Sequence, residues 1–200
     1  MERIKVVGLC GRSGSGKGYV SSRFFECGVP SIDTDRVYRE SVLSGPCLCE
    51  IVSEFGDSVL NEEGRLDRRS LAAIVFAPGC EEKLVRLNEI THKYILQETL
   101  KLIERYEAEG HRSVIIDAPV LFESGFDKIC DLKVCVTAPR EVSVMRICER
   151  DSRSREEAER RLDSQIDESE LVLMCDEAIV NDGESDVCVR VRQIIDKYRL

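Results

Sequence analysis

Several things missing from this sequence narrow its function before any motif is read. No apolar run approaches the ~20 residues of a membrane-spanning helix, so no membrane partner is expected. Met1-Glu-Arg-Ile-Lys5 leads straight into an apolar segment, which leaves no room for a secretory leader and points to the cytoplasm. Positive charge is in deficit: 29 Lys and Arg stand against 38 Asp and Glu, a net charge of −9. Nucleic acid and anionic membranes therefore have no broad electrostatic hold on the chain. No basic stripe interleaved with aromatic residues offers one locally. Histidine occurs twice, and none of the ten cysteines forms a CxxC pair. Zinc-ligand spacing is thus absent and reduced thiols are expected, with Cys10, Cys135, Cys148 and Cys188 acting as small apolar residues. There is no internal repeat and no low-complexity tract.

What is present is a 200-residue chain, 42% hydrophobic and 34% charged, enough for one globular domain with a substantial core. Short apolar runs at 4–9, 29–32, 113–117, 132–136 and 177–180 alternate with helical patterns. That alternation predicts a parallel sheet covered by helices on both faces. The longest helical stretch, 81–109, repeats Leu84, Leu87, Ile90, Tyr94 and Ile95, then Leu96, Leu100 and Ile103, at spacings of three and four. Val187, Val191, Ile194, Ile195 and Tyr198 repeat the pattern near the C-terminus. Both stripes are expected to pack in the core.

The first apolar run ends at Gly11-Arg12-Ser13-Gly14-Ser15-Gly16-Lys17-Gly18, followed by a helix-competent stretch from Tyr19 to Cys27. A strand, a glycine-rich loop with lysine, and a helix start form the setting of a phosphate-binding P-loop, whose backbone N–H groups wrap a di- or triphosphate. Lys17 is expected to reach the β- and γ-phosphates. The motif ordinarily closes with a Ser or Thr whose hydroxyl ligates magnesium, and here that place is Gly18. Water, Ser21 or a later carboxylate is left to complete the metal shell.

In an open parallel sheet the ligand lies beyond the carboxyl ends of the strands. Asp33 and Asp117 stand there beside the P-loop. Asp33 suits an acceptor hydroxyl or a metal. Asp35 suits a helix N-cap as well as it suits chemistry. Asp117 stands where P-loop enzymes keep a second metal contact, and Pro119 turns the chain out of the sheet. Arg146 and Arg150 share a helical face four residues apart. Among the arginines that follow, Glu156, Glu157 and Glu159 are interspersed as on an ordinary ion-paired helix. His92 lies within the long helix, where a lone histidine serves packing as readily as catalysis.

In order along the chain, these pieces resemble the dephospho-coenzyme A kinase family. The resemblance runs through Gly8-Leu-Cys-Gly11 and the loop to Lys17, Ile32-Asp-Thr-Asp35, Leu66-Asp-Arg68 and Leu87-Asn-Glu-Ile-Thr-His92. It continues through Asp117-Ala-Pro-Val-Leu-Phe-Glu123, Arg146 to Asp151, Arg161, Gln165 and Val180-Asn181. It implies a three-layer P-loop kinase sandwich with a five-stranded parallel sheet: core 1–35, 111–149 and 167–200, a helical acceptor-binding region 36–110, and a mobile lid 150–166. ATP and magnesium are the implied cofactors and dephospho-coenzyme A the acceptor, in a monomer or weak homo-oligomer. Asp33, Lys17, Arg146 and Arg150 would be catalytic. Gly11 through Tyr19, including Arg12, Ser13 and Gly18, with Arg161 and Asn181, would bind nucleotide, Asn181 at the adenine. Asp35, Arg68, His92, Asp117, Pro119 and Glu123 would bind acceptor, and Asp33 and Asp117 the metal. Departures from the family pattern fall at Arg12 and Ser13, where a Gly-Ile pair is usual, at Gly18, at Tyr19, and at Lys93, where proline is usual. Alternative readings are a nucleoside or nucleotide kinase of the same fold, or a nucleotide-binding regulatory protein in which Gly18 has impaired catalysis.

Overall fold

The computed structural model describes residues 3–42 and 45–200; the leading Met1 and Glu2 lie outside that range. Five strands form one all-parallel sheet: β1 (Lys5–Cys10), β2 (Ser31–Asp33), β3 (Ser113–Asp117), β4 (Leu132–Thr137) and β5 (Glu177–Val180), in the order β2-β3-β1-β4-β5. The central strand β1 pairs with β3 from Lys5↔Ser113 to Leu9↔Asp117 and with β4 from Val7↔Leu132 to Cys10↔Cys135. This register brings the P-loop and Asp117 to neighbouring strand ends.

Strands covered on both faces have to be apolar on both, and these are. Val7 and Leu9 of β1, Ile115 of β3, and Val134 and Val136 of β4 face helices α1 (Lys17–Glu26) and α9 (Val187–Tyr198). Val20 and Phe24 from α1 and Val187, Val191 and Ile194 from α9 fill that layer, and Ile195 and Tyr198 pack at its edge. The C-terminal stripe therefore behaves as its periodicity predicts. On the opposite face Gly8 leaves room for Leu121 and Cys130, whose side chains occupy the space a Cβ would take.

The chain divides into two compact units, Met1–Ile32 with Ile103–Leu200, and Asp33–Leu102. The second contains α2 (Thr34–Val37), α3 (Pro46–Phe55), α4 (Arg68–Val75) and most of α5 (Glu81–Ala108). Ile90, Thr91, Ile95, Thr99 and Ile103 form the buried line of α5. Leu100, expected in the core, is exposed, because a single helical stripe favours the line through Thr99 one position away. The first unit continues with α6 (Arg140–Asp151), α7 (Arg155–Asp163) and α8 (Glu168–Leu173). A capping box between Ser154 and Glu157 starts α7. Its Ala158 and Leu162 pack on Val144 and Ile147 of α6. No helix among the described residues is long and apolar enough to cross a membrane.

Candidate active site

The loop between β1 and α1 follows a path open to glycine. Gly14 and Gly16 adopt φ of 78° and 81°, in the left-handed region where a Cβ costs about 1–2 kcal/mol. Both are also tightly surrounded: an added Cβ would collide with the Ser143 backbone at Gly14 and with the Asn181 amide at Gly16. Gly18 differs, because a Cβ placed there would meet nothing within 4 Å. The Ser15 hydroxyl is buried and has no hydrogen-bond partner, an unmet polar group inside a loop whose chemistry suits an anion.

Two side chains hold the outside of this loop. Asn181 is buried just past β5, and its Nδ2 donates to the Ser15 carbonyl at 2.8 Å. The Arg146 guanidinium reaches back from α6. Its Nη1 donates to the carbonyls of Gly14 and Ser15, each at 3.3 Å, and of Asn181 at 3.0 Å. The resemblance assigns Asn181 to adenine and Arg146 to phosphate. In the structure both grip loop carbonyls, while the Ser15 N–H donates to the Arg12 carbonyl at 3.1 Å. A hollow of about 350 Å³ adjoins Gly16, lined by Tyr19, Arg146, Asn181 and Gly183.

Lys17 forms an ion pair with Asp117 at the end of β3; both side chains are about 15% exposed. The parallel pairing Leu9↔Asp117 explains the meeting, since it brings the end of β3 level with the start of the loop. Ser21, one candidate for the magnesium shell, has another partner in this structure. Its hydroxyl is buried on α1 and shares a hydrogen bond with Ser31 at 2.9 Å.

The stretch after α6 is tied to the loop at two points. Ser13 N–H donates to Gln165 Oε1 at 2.9 Å, and the Arg12 guanidinium donates to the Leu162 carbonyl. Arg12, expected on the nucleotide, thus holds α7 here, while its buried Nε has no partner. Arg150 lies exposed on α6 and clasps its neighbour Asp151 through two bonds of 2.8 Å. Arg161 joins the same carboxylate at 2.9 Å. Hydrogen bonding to Arg150 and the charge of Arg161 hold the Asp151 carboxyl below the ordinary aspartate range. Arg150 and Arg161, which the resemblance gives to catalysis and to nucleotide, thus meet through the aspartate between them. Pro119 and Glu123 line a cleft of about 230 Å³ with Gly11, Arg12 and Gln165.

In the second unit, Asp33 closes β2 and its Oδ1 accepts from Arg36 N–H at 3.0 Å, capping α2. The cap weighed for Asp35 therefore belongs to Asp33, two residues earlier, because α2 begins at Thr34; Asp35 is exposed in its first turn. Arg68 is exposed at the start of α4, whose cap is Asp67, and its charge acts on the half-buried Tyr38 phenol. Burial pushes that phenol up, with Arg68 opposing. His92 lies half-buried on α5.

One cluster escaped the sequence reading. Cys10, Cys135 and Cys175 bring three sulfurs within 4.8 Å of one another. Cys10 and Cys135 are register partners, and Cys175 precedes β5. Contacts with Cys10 and then Cys135 draw the Cys175 thiol down to about 4. Cys10 is pushed far up by Cys135, Cys175 and burial. For Cys135 the Cys10 contact favours the thiolate, but Cys175 and burial prevail and push it up to about 12. Residues 125 and 40 positions apart carry no short-range spacing signal, so only the β1–β4 register could have suggested the trio.

Comparison with known proteins agrees with the order of these pieces. A family model described as dephospho-CoA kinase matches residues 5–186. A dephospho-CoA kinase from Bacillus anthracis is 40% identical over 179 residues, 89% of this chain and 88% of that one. A crystal structure of a Thermus thermophilus protein superposes with a TM-score of 0.84 at 27% identity, covering 100% of both chains. A dephospho-CoA kinase from Campylobacter jejuni superposes with a TM-score of 0.68 at 28% identity, covering 98% of each. With its P-loop, strand-end carboxylates and arginine helix all inside the matched span, this chain belongs to the dephospho-CoA kinase family.

Proposed function

We propose that the chain transfers the γ-phosphoryl group of ATP to the ribose 3′-hydroxyl of dephospho-coenzyme A, giving coenzyme A and ADP in the last step of coenzyme A synthesis. The observation that carries this reading is the glycine loop at the end of β1. Its carbonyls are held from outside by Asn181 and Arg146, and it closes on a lysine. Such a loop, at the start of a helix, accepts polyphosphate through its backbone N–H groups. The unpartnered Ser15 hydroxyl is a further polar group for the same anion.

Within this reading Lys17 leaves Asp117 to neutralise the β- and γ-phosphates. Asp33 orients the acceptor hydroxyl and takes its proton as the oxygen–phosphorus bond forms and the bond to ADP breaks. Arg150 and Arg161, kept together by Asp151, balance charge on the transferring group. Arg146 acts as a positioning residue through the loop carbonyls. The hollow bordered by Tyr19, Asn181 and Gly183 takes the adenine base in this reading. Asp35, Arg68 and His92, with Asp117, Pro119 and Glu123, are assigned to the acceptor. Magnesium suits carboxylate donors, and Asp117 and Asp33 are the two assigned to it; when bound it supplies charge neutralisation at the phosphate oxygens. The site of reaction is cytoplasmic in this proposal.

The test is phosphate transfer from Mg·ATP with dephospho-coenzyme A offered beside a panel of nucleosides and nucleotides. Coenzyme A and ADP in equal amounts are expected. Preferential phosphorylation of a nucleoside or nucleotide would overturn the acceptor assignment. ATP binding without turnover of any acceptor would select the regulatory alternative.

A further inference from the structure

The cysteine trio has no part in the chemistry proposed above, yet it is built like a metal centre. Cys10 Sγ and Cys175 Sγ are 3.4 Å apart, and all three sulfurs lie within 4.8 Å. Three thiolates around one zinc-like ion at about 2.3 Å stand about 3.8 Å from one another in a tetrahedral arrangement. The observed spacing brackets that value without backbone movement. Two of the three ligands are fixed by the sheet, since Cys10 and Cys135 are paired across β1 and β4. Cys175 is set by the turn leading into β5, where Asp176 N–H donates to the Lys133 carbonyl at 2.9 Å and Lys133 N–H donates to the Asp176 carboxylate at 2.8 Å. Access exists as well: Cys10 lines the cleft shared with Gly11, Pro119 and Gln165, and Cys175 is half-buried.

We propose that Cys10, Cys135 and Cys175 form a binding site for a thiophilic divalent cation of the zinc class, with water as the fourth ligand. Thiolate donors select such ions over magnesium, so the trio and the carboxylates serve different metals. Each thiol that ligates gives up its proton to solvent, and no electron is transferred. The site lies one residue before Gly11, at the root of the phosphate loop.

The full chain, reduced with a phosphine and freed of metal, is titrated with Co²⁺ as the optical probe and loaded with Zn²⁺ for X-ray absorption. One Co²⁺ per chain is expected, with thiolate charge-transfer bands and the intense visible bands of a tetrahedral site. The zinc shell should contain three sulfurs and one light atom. Cys175→Ser should lower the sulfur count to two and weaken affinity by at least about tenfold, given that even outer-shell changes cost 10–100-fold. Cys27→Ser, at an exposed cysteine, should change neither. The wild-type sulfur count stands by itself if the variant folds poorly. Absence of stoichiometric uptake, a shell of nitrogen and oxygen only, or an unchanged shell in Cys175→Ser overturns the proposal. So does a Cys10–Cys175 disulfide that still takes up no metal after reduction.

Discussion

Replacing Asn181 with alanine separates two roles that lead to different losses. The amide donates one hydrogen bond of 2.8 Å to the Ser15 carbonyl, in a setting where Asn181 is 5% exposed. A buried carbonyl stripped of its donor costs about 1–3 kcal/mol. Arg146 Nη1 remains on the same oxygen at 3.3 Å, which keeps the penalty near the low end, about 1–2 kcal/mol. If the free loop relaxes in the variant, binding has to restore its path, and that energy appears as weaker affinity. At 1.4 kcal/mol per factor of ten, the loss is roughly 5–30-fold in Kd. Because the contact lies behind the phosphate cradle, the loss should be the same for ATP and for inorganic tripolyphosphate, which has no base. Isothermal titration with both ligands measures this directly. A loss confined to ATP, with tripolyphosphate unaffected, refutes the bracing argument and returns Asn181 to the adenine.

The other predictions concern different parts of the site. Asp33→Asn should lower turnover by about 10²–10⁴-fold, the usual share of a positioned base, with ATP affinity nearly unchanged. Asparagine caps a helix as well as aspartate does, so melting should shift little; turnover near wild type would remove Asp33 from the mechanism. Gly18→Ser meets no steric obstacle and adds about 0.5 kcal/mol of helix propensity. The magnesium concentration giving half-maximal turnover should fall, and an unchanged value means the missing hydroxyl is not limiting. The Asp151 clasp should persist from neutral pH down through the ordinary aspartate range. Its carboxyl is held below the unfolded value, so the contribution is complete above that value and disappears only as pH drops through the folded one. Carboxyl-carbon NMR of Asp151 follows this, and titration at or above the ordinary aspartate value contradicts the clasp.

Local features were legible in the sequence because local physics produces them. The strands show as apolar runs, the P-loop as glycines where a Cβ collides, and α9 as a stripe whose members are buried. Boundaries moved by a residue or two where neighbours decide. Strand β2 starts after Pro30, whose ring carries no N–H, although its carbonyl still accepts from Ile115. The helix starting at Thr34 then made Asp33, not Asp35, the cap. Roles that depend on distant partners stayed hidden. Arg146 and Asn181 read as ligand contacts, and the fold gives both loop carbonyls as partners that spacing could not show, as it gives Arg12 the Leu162 carbonyl. The thiol trio needed the end of β1, the middle of β4 and the turn before β5 to meet before it existed at all.

The Lys17–Asp117 pair has a consequence for the order in which ligands arrive. In the proposed roles phosphate takes Lys17 and magnesium takes Asp117, so each ligand competes with the pair. On the proposed roles, a ligand that draws one of them away removes one hold on the other and so favours the second ligand. Polyanion and cation therefore help each other in, and thermodynamic reciprocity makes the help equal in both directions. A lone monovalent anion offers Lys17 no more charge than Asp117 already does, and gains no such assistance. The closed pair thus acts as a threshold that a metal–polyphosphate complex crosses more readily than either component alone.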